Sequence, residues 1–144
     1  MLRAAQVGAP NALMLTRESV RALDAAGYDV GAHTVTHPIL ARLPTDAARD
    51  EIRQSKLDLE ALTGKSVDLF AYPNGKPGAD CSPDHVRMIR EAGFEAAFTT
   101  ASGAANRGSD VYQLPGFTPW VRNPLWFDWL MMRNLRQDAD QRIA

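Results

Sequence analysis

Two of the chain's three histidines, His33 and His37, lie four residues apart in the segment GAHTVTHPIL. At that spacing both imidazoles fall on one side of a helical turn, or converge from a tight loop. Two neutral imidazoles can hold a divalent cation, although a hydrolytic site usually adds a third protein ligand, often a carboxylate, and an open position for water. The segment is therefore a candidate half of a metal site. The alternative is that both histidines only cap or pack a loop.

A second segment, YPNG over residues 72–75, has the residue types of a rigid turn. Proline fixes one backbone dihedral, and asparagine and glycine tolerate positive ones, so the simplest interpretation is structural. The functional interpretation is a loop that aims a backbone N–H into a pocket, as an oxyanion donor must be aimed.

Helices and strands alternate around these two segments. Hydrophobic periodicity, with capping residues before and glycines after, predicts helices over about 16–26, 45–64 and 82–93. Runs typical of strands lie at about 28–32, 66–71 and 94–100. This order predicts an α/β fold in which parallel strands are joined by helical crossovers. Ligands of such folds gather at the carboxyl ends of the strands, where both unusual segments lie.

Each predicted helix has one face expected to be buried. The middle helix has apolar or small residues at spacings of four and three: Ala48, Ile52, Ser55, Leu59 and Leu62. In the first helix the inward residues are expected to be Val20 and Leu23, and in the third Met88, Ile89 and Ala92.

Composition limits the classes of function. The 144 residues, 45% hydrophobic and 23% charged, are typical of one globular domain over residues 1–144, with 1–15 expected to be irregular. A formal net charge of -1, with scattered basic residues, makes nucleic acid an unexpected partner. Cys81 is the single cysteine, which excludes an intrachain disulfide and a thiolate metal cluster. The sequence predicts no signal peptide and no membrane span, so a cytoplasmic chain is expected as written.

The two segments together resemble a known family. VGAHTVTHPIL is similar to the histidine motif of the polysaccharide deacetylases, and FAYPNG resembles their Arg-x-Pro-Tyr-Gly loop, in the right order. GKSVDLFAYPNG and REAGFEAAFTT are also similar to segments of that family, and the resemblance covers about residues 16–120. It implies a partial, distorted (β/α) barrel that removes acetyl groups from N-acetylated saccharides, with a divalent metal, expected to be zinc, activating water.

The resemblance also implies roles for individual residues. His33 and His37 would be the metal ligands, with Thr34 bracing their loop by hydrogen bonding. Asn74 would offer its backbone N–H to the tetrahedral oxyanion. Tyr72 and Pro73 would line the sugar groove.

Three departures from the family pattern limit what the resemblance implies. The Thr-Phe-Asp-Asp motif, which provides the base and the third metal ligand, is absent, so the chain resembles a member without its N-terminal strands. Ala71 stands where the family has the arginine that holds the base. The late Leu-x-His motif is matched only at Leu114, which leaves the general acid unassigned. Weak metal occupancy is therefore expected.

Other residues have simpler expected roles. His85, in the first turn of a capped helix, is expected on the surface. Asp80 is the carboxylate most suspected as a replacement ligand, although a turn aspartate that accepts backbone amides is the simpler reading, and Asp29 and Asp68 are weaker candidates. Trp126 and Trp129 are expected on a buried or partner-facing helix.

Three hypotheses follow from the sequence. The first is that the chain descends from metal-dependent deacetylases, whether or not it is active by itself. The second is a noncatalytic remnant that binds saccharide or metal. The third is an interaction subunit that completes its fold with another chain. The apolar run PLWFDWLMM over 124–132 could pack on the same subunit or reach across a two-fold axis to a second copy, and a homo-oligomer is expected.

Overall fold

The computed structural model describes residues 14–137. The four helices of this part are α1 (Arg17–Ala25), α2 (Thr45–Thr63), α3 (Pro83–Glu91) and α4 (Pro124–Leu135). Its two strands are β1 (Leu69–Ala71) and β2 (Ala96–Phe98), and short 3₁₀ helices lie at Leu40–Arg42 and Val111–Gln113. Of the segment 1–15, expected to be irregular, only 14 and 15 fall within the described residues.

The strands β1 and β2 are parallel, with Phe70 opposite Ala97, and α3 lies in the crossover between them. Single parallel bridges extend this pair on both sides, from Ala32 to Phe70 and from Phe98 to Leu114. The α/β order with parallel strands and helical crossovers is therefore confirmed. The predicted strand over 28–32 is wrong in extent, because only Ala32 pairs with β1; the segment contains Asp and Gly, which are poor strand formers.

The core lies between this small sheet and helices α2 and α3. The predicted stripe of α2 is confirmed at Ala48, Ile52 and Ser55, which are buried, and Leu59 packs against the core. Met88 and Ile89 of α3 are buried, as predicted. Because α2 is anchored along this stripe, the residues on its flanks hold fixed positions beside the loop that contains the two histidines.

Helix α1 is capped as predicted but packs differently. The Thr16 hydroxyl accepts a hydrogen bond from the Ser19 N–H, and Gly27, with φ of +86°, follows the helix end. However, none of the residues of α1 is buried, and Leu23 is 37% exposed. The expectation that Val20 and Leu23 point into the core is therefore wrong for the described residues, since α1 lies over α2 at the surface.

His85 is buried, not exposed as expected. The backbone N–H of Ser82, the N-cap of α3, donates to His85 Nδ1 at 2.9 Å. His85 thus takes the part that Glu or Gln plays at the third position of a capping box. Burial lowers the pKa of His85 below its ordinary value, against an opposing effect of the nearby Asp84.

This cap makes stability depend on pH. Protonation of Nδ1 would remove the acceptor, and because the folded-state pKa lies below the unfolded-state value, the unfolded chain takes up the proton first. Stability is present above a pH of about 6.5 and is lost as the pH falls toward the folded-state pKa. We expect the Tm of the wild type to fall more steeply below this pH than that of His85→Gln, which keeps an acceptor that does not titrate. Thermal unfolding followed by circular dichroism checks this, and parallel curves would contradict it.

Helix α4 presents an apolar surface. Its N-cap is Asn123, whose side chain accepts from the Trp126 N–H, and the rings of Trp126 and Trp129 stack with centroids 4.6 Å apart. Both rings remain about half exposed, so of the two expected alternatives they are not buried among the described residues, and a partner-facing helix stays a prediction. No helix among these residues is long and apolar enough to span a membrane.

Candidate functional site

The two histidines lie together at the carboxyl edge of the sheet. Ala32 pairs with Phe70 of β1, and the chain leaves the sheet immediately afterwards at His33. The ring centroids of His33 and His37 are 4.7 Å apart and the rings meet edge to face at 69°. Both rings are exposed and line the same cavity, as the spacing predicts. Their role as metal ligands stays a prediction.

One hydrogen bond determines which nitrogen of His33 is available. His33 Nδ1 lies 2.7 Å from the Ala71 carbonyl oxygen, which can only accept, so Nδ1 carries the proton. In the neutral ring Nε2 then has a free lone pair. Metal-binding histidines commonly donate their other N–H to a carbonyl or carboxylate in this way, which fixes the tautomer and the ring orientation.

The loop between the histidines has a strained backbone. Thr34 and His37 have φ of 61° and 58°, in the left-handed region that is rare for residues other than glycine and most unusual for β-branched ones. The Thr34 hydroxyl donates to the His33 carbonyl at 2.6 Å and accepts from the His37 N–H at 3.2 Å. Such conformations cost about 1–3 kcal/mol each and persist where the surroundings hold them, which is common at functional sites.

The YPNG segment forms a tight turn on the same side of the sheet. Asn74 has φ of 57°, and the Gly75 N–H donates to the Pro73 carbonyl at 2.6 Å. Thr100, just after β2, holds the turn: its hydroxyl donates to the Asn74 carbonyl at 2.7 Å and its N–H to the Gly75 carbonyl at 3.0 Å. The Asn74 N–H has no acceptor within residues 14–137, and Asn74 is exposed.

Gly75 cannot be replaced without changing this turn. Its φ is +64°, and a Cβ there would lie 3.0 Å from the Tyr72 carbonyl oxygen and 3.1 Å from the Thr100 nitrogen, both backbone atoms. The glycine therefore allows β2 to approach the turn closely enough for Thr100 to hold Asn74 in place.

Of the two residues expected to line the groove, Tyr72 lies at the cavity wall and Pro73 does not. Pro73 is fully buried and does not line the cavity, so it belongs to the packed side of the turn. Tyr72 reaches the cavity wall but is 2% exposed, and its hydroxyl donates to the Tyr112 carbonyl at 3.0 Å. Burial raises the pKa of Tyr72, and the nearby Cys81 and Asp110 act in the same direction, so the hydroxyl stays protonated.

These parts enclose an open cavity of about 570 Å³. Its walls combine the two histidines and the YPNG turn with polar and aromatic residues from the chain after β2: His33, His37, Tyr72, Asn74, Thr100, Ser102, Gly116, Phe117, Thr118 and Trp120. Trp120 is 90% exposed and gives the cavity a flat apolar wall. A cavity with convergent polar groups beside an exposed aromatic ring is suited to a sugar, which has polar edges and apolar faces.

Among residues 14–137, no third candidate metal ligand lies beside the two histidines. Within the described part of the chain, no three His, Cys, Asp or Glu side chains are grouped so that they could hold a metal ion. The suspicion that Asp80 replaces the missing ligand is therefore wrong for these residues: its carboxylate accepts from the Lys76 N–H at 3.0 Å, as a turn aspartate does. Asp29 and Asp68 line a different cavity with Asp24.

Two residues that hold the turn and the loop by hydrogen bonds were not identified from the sequence. Thr100 holds the YPNG turn, and Glu51 of α2 contacts the loop between the histidines. Thr100 could have been suspected, since it ends a strand beside the turn at the same sheet edge. Glu51 is one of many exposed-type residues on a long helix, and no short motif distinguishes it.

Comparison with known proteins identifies the family of this chain. A family model described as polysaccharide deacetylase matches residues 5–97, which is more than half of the chain. The chain belongs to the polysaccharide deacetylase family. No curated protein sequence matches it significantly.

Solved structures support the same fold. The Streptococcus pyogenes deacetylase PplD, in complex with acetate, is similar with a TM-score of 0.68 and 22% identity over 75% of this chain and 46% of that one. IcaB from Ammonifex degensii has a TM-score of 0.65 and 22% identity, covering 85% of this chain and 54% of that one. A polysaccharide deacetylase from Bacillus cereus has a TM-score of 0.62 and 24% identity, covering 72% of this chain and 32% of that one. The chain thus spans about half, or less, of these proteins.

Proposed function

We propose that this chain carries the histidine and oxyanion parts of a metal-dependent deacetylase that removes N-acetyl groups from an amino-sugar polymer or oligomer, built on a partial (β/α) barrel. The observation that supports this most is the position of two adjacent imidazoles and the available Asn74 N–H around one cavity. Family membership supports the reaction class, and the geometry supports the choice of residues.

The donor set suits a divalent cation such as zinc. His33 has its Nε2 lone pair free because Nδ1 is bound to the Ala71 carbonyl, and the His37 ring lies beside it. These two residues would hold the ion, which when bound would polarise the substrate carbonyl and lower the pKa of water. The donor set fits but is incomplete, since a catalytic site of this type normally has three protein ligands.

The other groups act on the saccharide itself. The Asn74 N–H would donate to the oxygen that gains negative charge as the amide carbonyl becomes tetrahedral, and Thr100 keeps that N–H fixed. Trp120 would pack against an apolar face of a sugar ring. The cavity residues include no candidate for the general base or for the acid that protonates the leaving amine. A histidine whose lone pair binds the ion cannot also accept or donate the proton.

We therefore expect slow, metal-dependent release of acetate from chitopentaose. A missing acid or base lowers turnover by roughly 10²–10⁴-fold. Acetate is measured with added zinc or cobalt, with wild type, with His37→Ala and with Asp50→Ala as a matched surface control. The proposal predicts that wild type and Asp50→Ala release acetate at the same low rate and that His37→Ala releases none above buffer.

Two outcomes would change this proposal. Release that is unaffected by His37→Ala would contradict the assignment of the cavity as the reaction site. Rapid turnover that His37→Ala abolishes would support deacetylation while contradicting the absence of a base, and would direct the search to residues outside 14–137.

A second candidate is a noncatalytic saccharide- or metal-binding chain, or a subunit that completes its fold with another copy. The lack of a third ligand within residues 14–137 favours a noncatalytic binding chain. The exposed apolar residues of α4 favour a subunit that associates with another copy. A homo-oligomer would cover the Trp126 and Trp129 rings. Light scattering at micromolar concentration distinguishes a monomer from such an assembly.

A further inference from the structure

A carboxylate from α2 holds the loop between the two histidines. Glu51 Oε2 accepts from the backbone N–H groups of Val35 and Thr36 at 2.8 and 2.9 Å. Glu51 Oε1 accepts from the Thr36 hydroxyl at 2.7 Å. One side chain therefore takes three hydrogen bonds from two consecutive residues, and those residues lie midway between His33 and His37.

The three hydrogen bonds to Glu51 are charge-assisted. Burial raises the pKa of Glu51, but the hydrogen bonds from Thr36 and Val35 outweigh burial, and the net pKa lies below its ordinary value. Glu51 is therefore ionised at neutral pH. Hydrogen bonds to an ionised acceptor are roughly twice as strong as neutral ones.

The loop needs such an anchor because of its backbone. Left-handed residues stand at Thr34 and His37, one on each side of the anchored pair. The remaining side-chain hydrogen bonds within the loop come from Thr34, whose hydroxyl connects His33 to His37. If the pair at 35 and 36 were released, the strained residues could relax, and the two rings would lose their fixed separation.

Glu51 acts at a distance from the cavity. It lines a shallow depression on the other side of the loop, with Leu43 and Gln54, and it does not line the cavity of the histidines. It also forms no metal-binding group with His33 and His37. Its effect on the site must therefore pass through the backbone of the loop.

We propose that Glu51 is a positioning residue, which fixes the separation and orientation of His33 and His37 so that both rings can bind one divalent cation. This inference rests on the proposed function for the identity of the ligand. The anchoring of the loop by Glu51 is independent of the proposed function and can be measured in the metal-free protein.

Three variants of α2 separate anchoring from folding. Glu51→Ala removes all three acceptors and leaves a good helix former. Glu51→Gln keeps an oxygen for the two N–H groups, and the Thr36 hydroxyl can turn to accept from the amide. Asp50→Ala removes the neighbouring exposed carboxylate, which makes no hydrogen bond to the loop.

Zinc affinity is measured by calorimetry on the full chain. Loss of an outer-shell partner typically weakens metal binding roughly 10–100-fold, so we expect Glu51→Ala to raise the zinc Kd by at least about tenfold. Glu51→Gln and Asp50→Ala should stay within about threefold of the wild type. Glu51→Gln is expected to restore binding because it can keep the hydrogen bonds to Val35 and Thr36.

Hydrogen exchange in the metal-free protein gives the independent readout. The amides of Val35 and Thr36 should exchange at least about tenfold faster in Glu51→Ala and at the wild-type rate in Asp50→Ala. If wild type binds no zinc, the proposed function fails, and faster exchange at these two amides still supports the anchoring. If Glu51→Ala does not fold, Glu51→Asp withdraws the carboxylate by one methylene and is expected to give the same losses. Wild-type zinc affinity or unchanged exchange in the folded variant would overturn the inference.

Discussion

Replacing His37 with alanine is expected to raise the Kd for zinc by at least about 100-fold, beyond the roughly 10–100-fold typical for outer-shell residues. The physical reason is that the structure offers two adjacent imidazoles and, within residues 14–137, no carboxylate or thiol to substitute for a lost one. His33→Ala should have the same effect, because either change leaves one imidazole, which cannot chelate an ion. Calorimetric titration with zinc measures both.

The third histidine provides the control for this experiment. His85 lies buried at the start of α3 and is not part of the cavity. His85→Gln should therefore leave zinc affinity unchanged at neutral pH. Equal zinc binding by wild type and His37→Ala would remove His37 from the site, and loss of binding in His85→Gln would show that the measured affinity lies elsewhere.

Phe70→Ala is expected to cost about 3–5 kcal/mol of the free energy of unfolding, the range for a large aromatic removed from a core. Phe70 is 1% exposed, and its ring lies 5.5 Å from that of Tyr72 and 5.2 Å from that of Phe94, centroid to centroid. Its backbone also joins both neighbours in the sheet, at Ala32 and Ala97. Urea unfolding followed by circular dichroism gives the difference.

Phe98 is the matched control, since it is a phenylalanine on the neighbouring strand with its side chain 39% exposed. Phe98→Ala should cost less than about half as much as Phe70→Ala, because less apolar surface returns to water. Similar losses for the two variants would contradict the position of the core between the sheet and helices α2 and α3.

Helix positions follow from local signals in this sequence, and strand extent does not. Thr16 and the pair Ser82–Pro83 begin helices where capping rules place them, and the stripe of α2 is buried where its period predicts. The stretch 28–32 has only local strand character, whereas pairing depends on the neighbouring chain. Among the described residues, Ala32 alone of this stretch pairs. The predicted exposure of His85 was wrong. Ser-x-x-His has the spacing of a capping box, but histidine is an unusual residue at that position.

The site was predictable to the level of motifs. Both segments follow predicted parallel strands, which placed them at one sheet edge, where the structure has them. Glu51 was not predictable, because its contact with the loop spans 15–16 residues and depends on how α2 packs. The burial of Pro73 was likewise hidden, since a sequence does not say which side of a turn faces a cavity.

The most direct test of the account is a zinc titration followed by the imidazole nitrogen resonances of the three histidines. We expect the resonances of His33 Nε2 and of one ring nitrogen of His37 to shift together and to saturate at one equivalent of zinc. His33 Nδ1 should keep its proton and its hydrogen bond to the Ala71 carbonyl. His85 should not shift, since its Nδ1 is held by the Ser82 N–H. A titration in which His33 and His37 respond separately, or not at all, would contradict a metal site shared by the two rings.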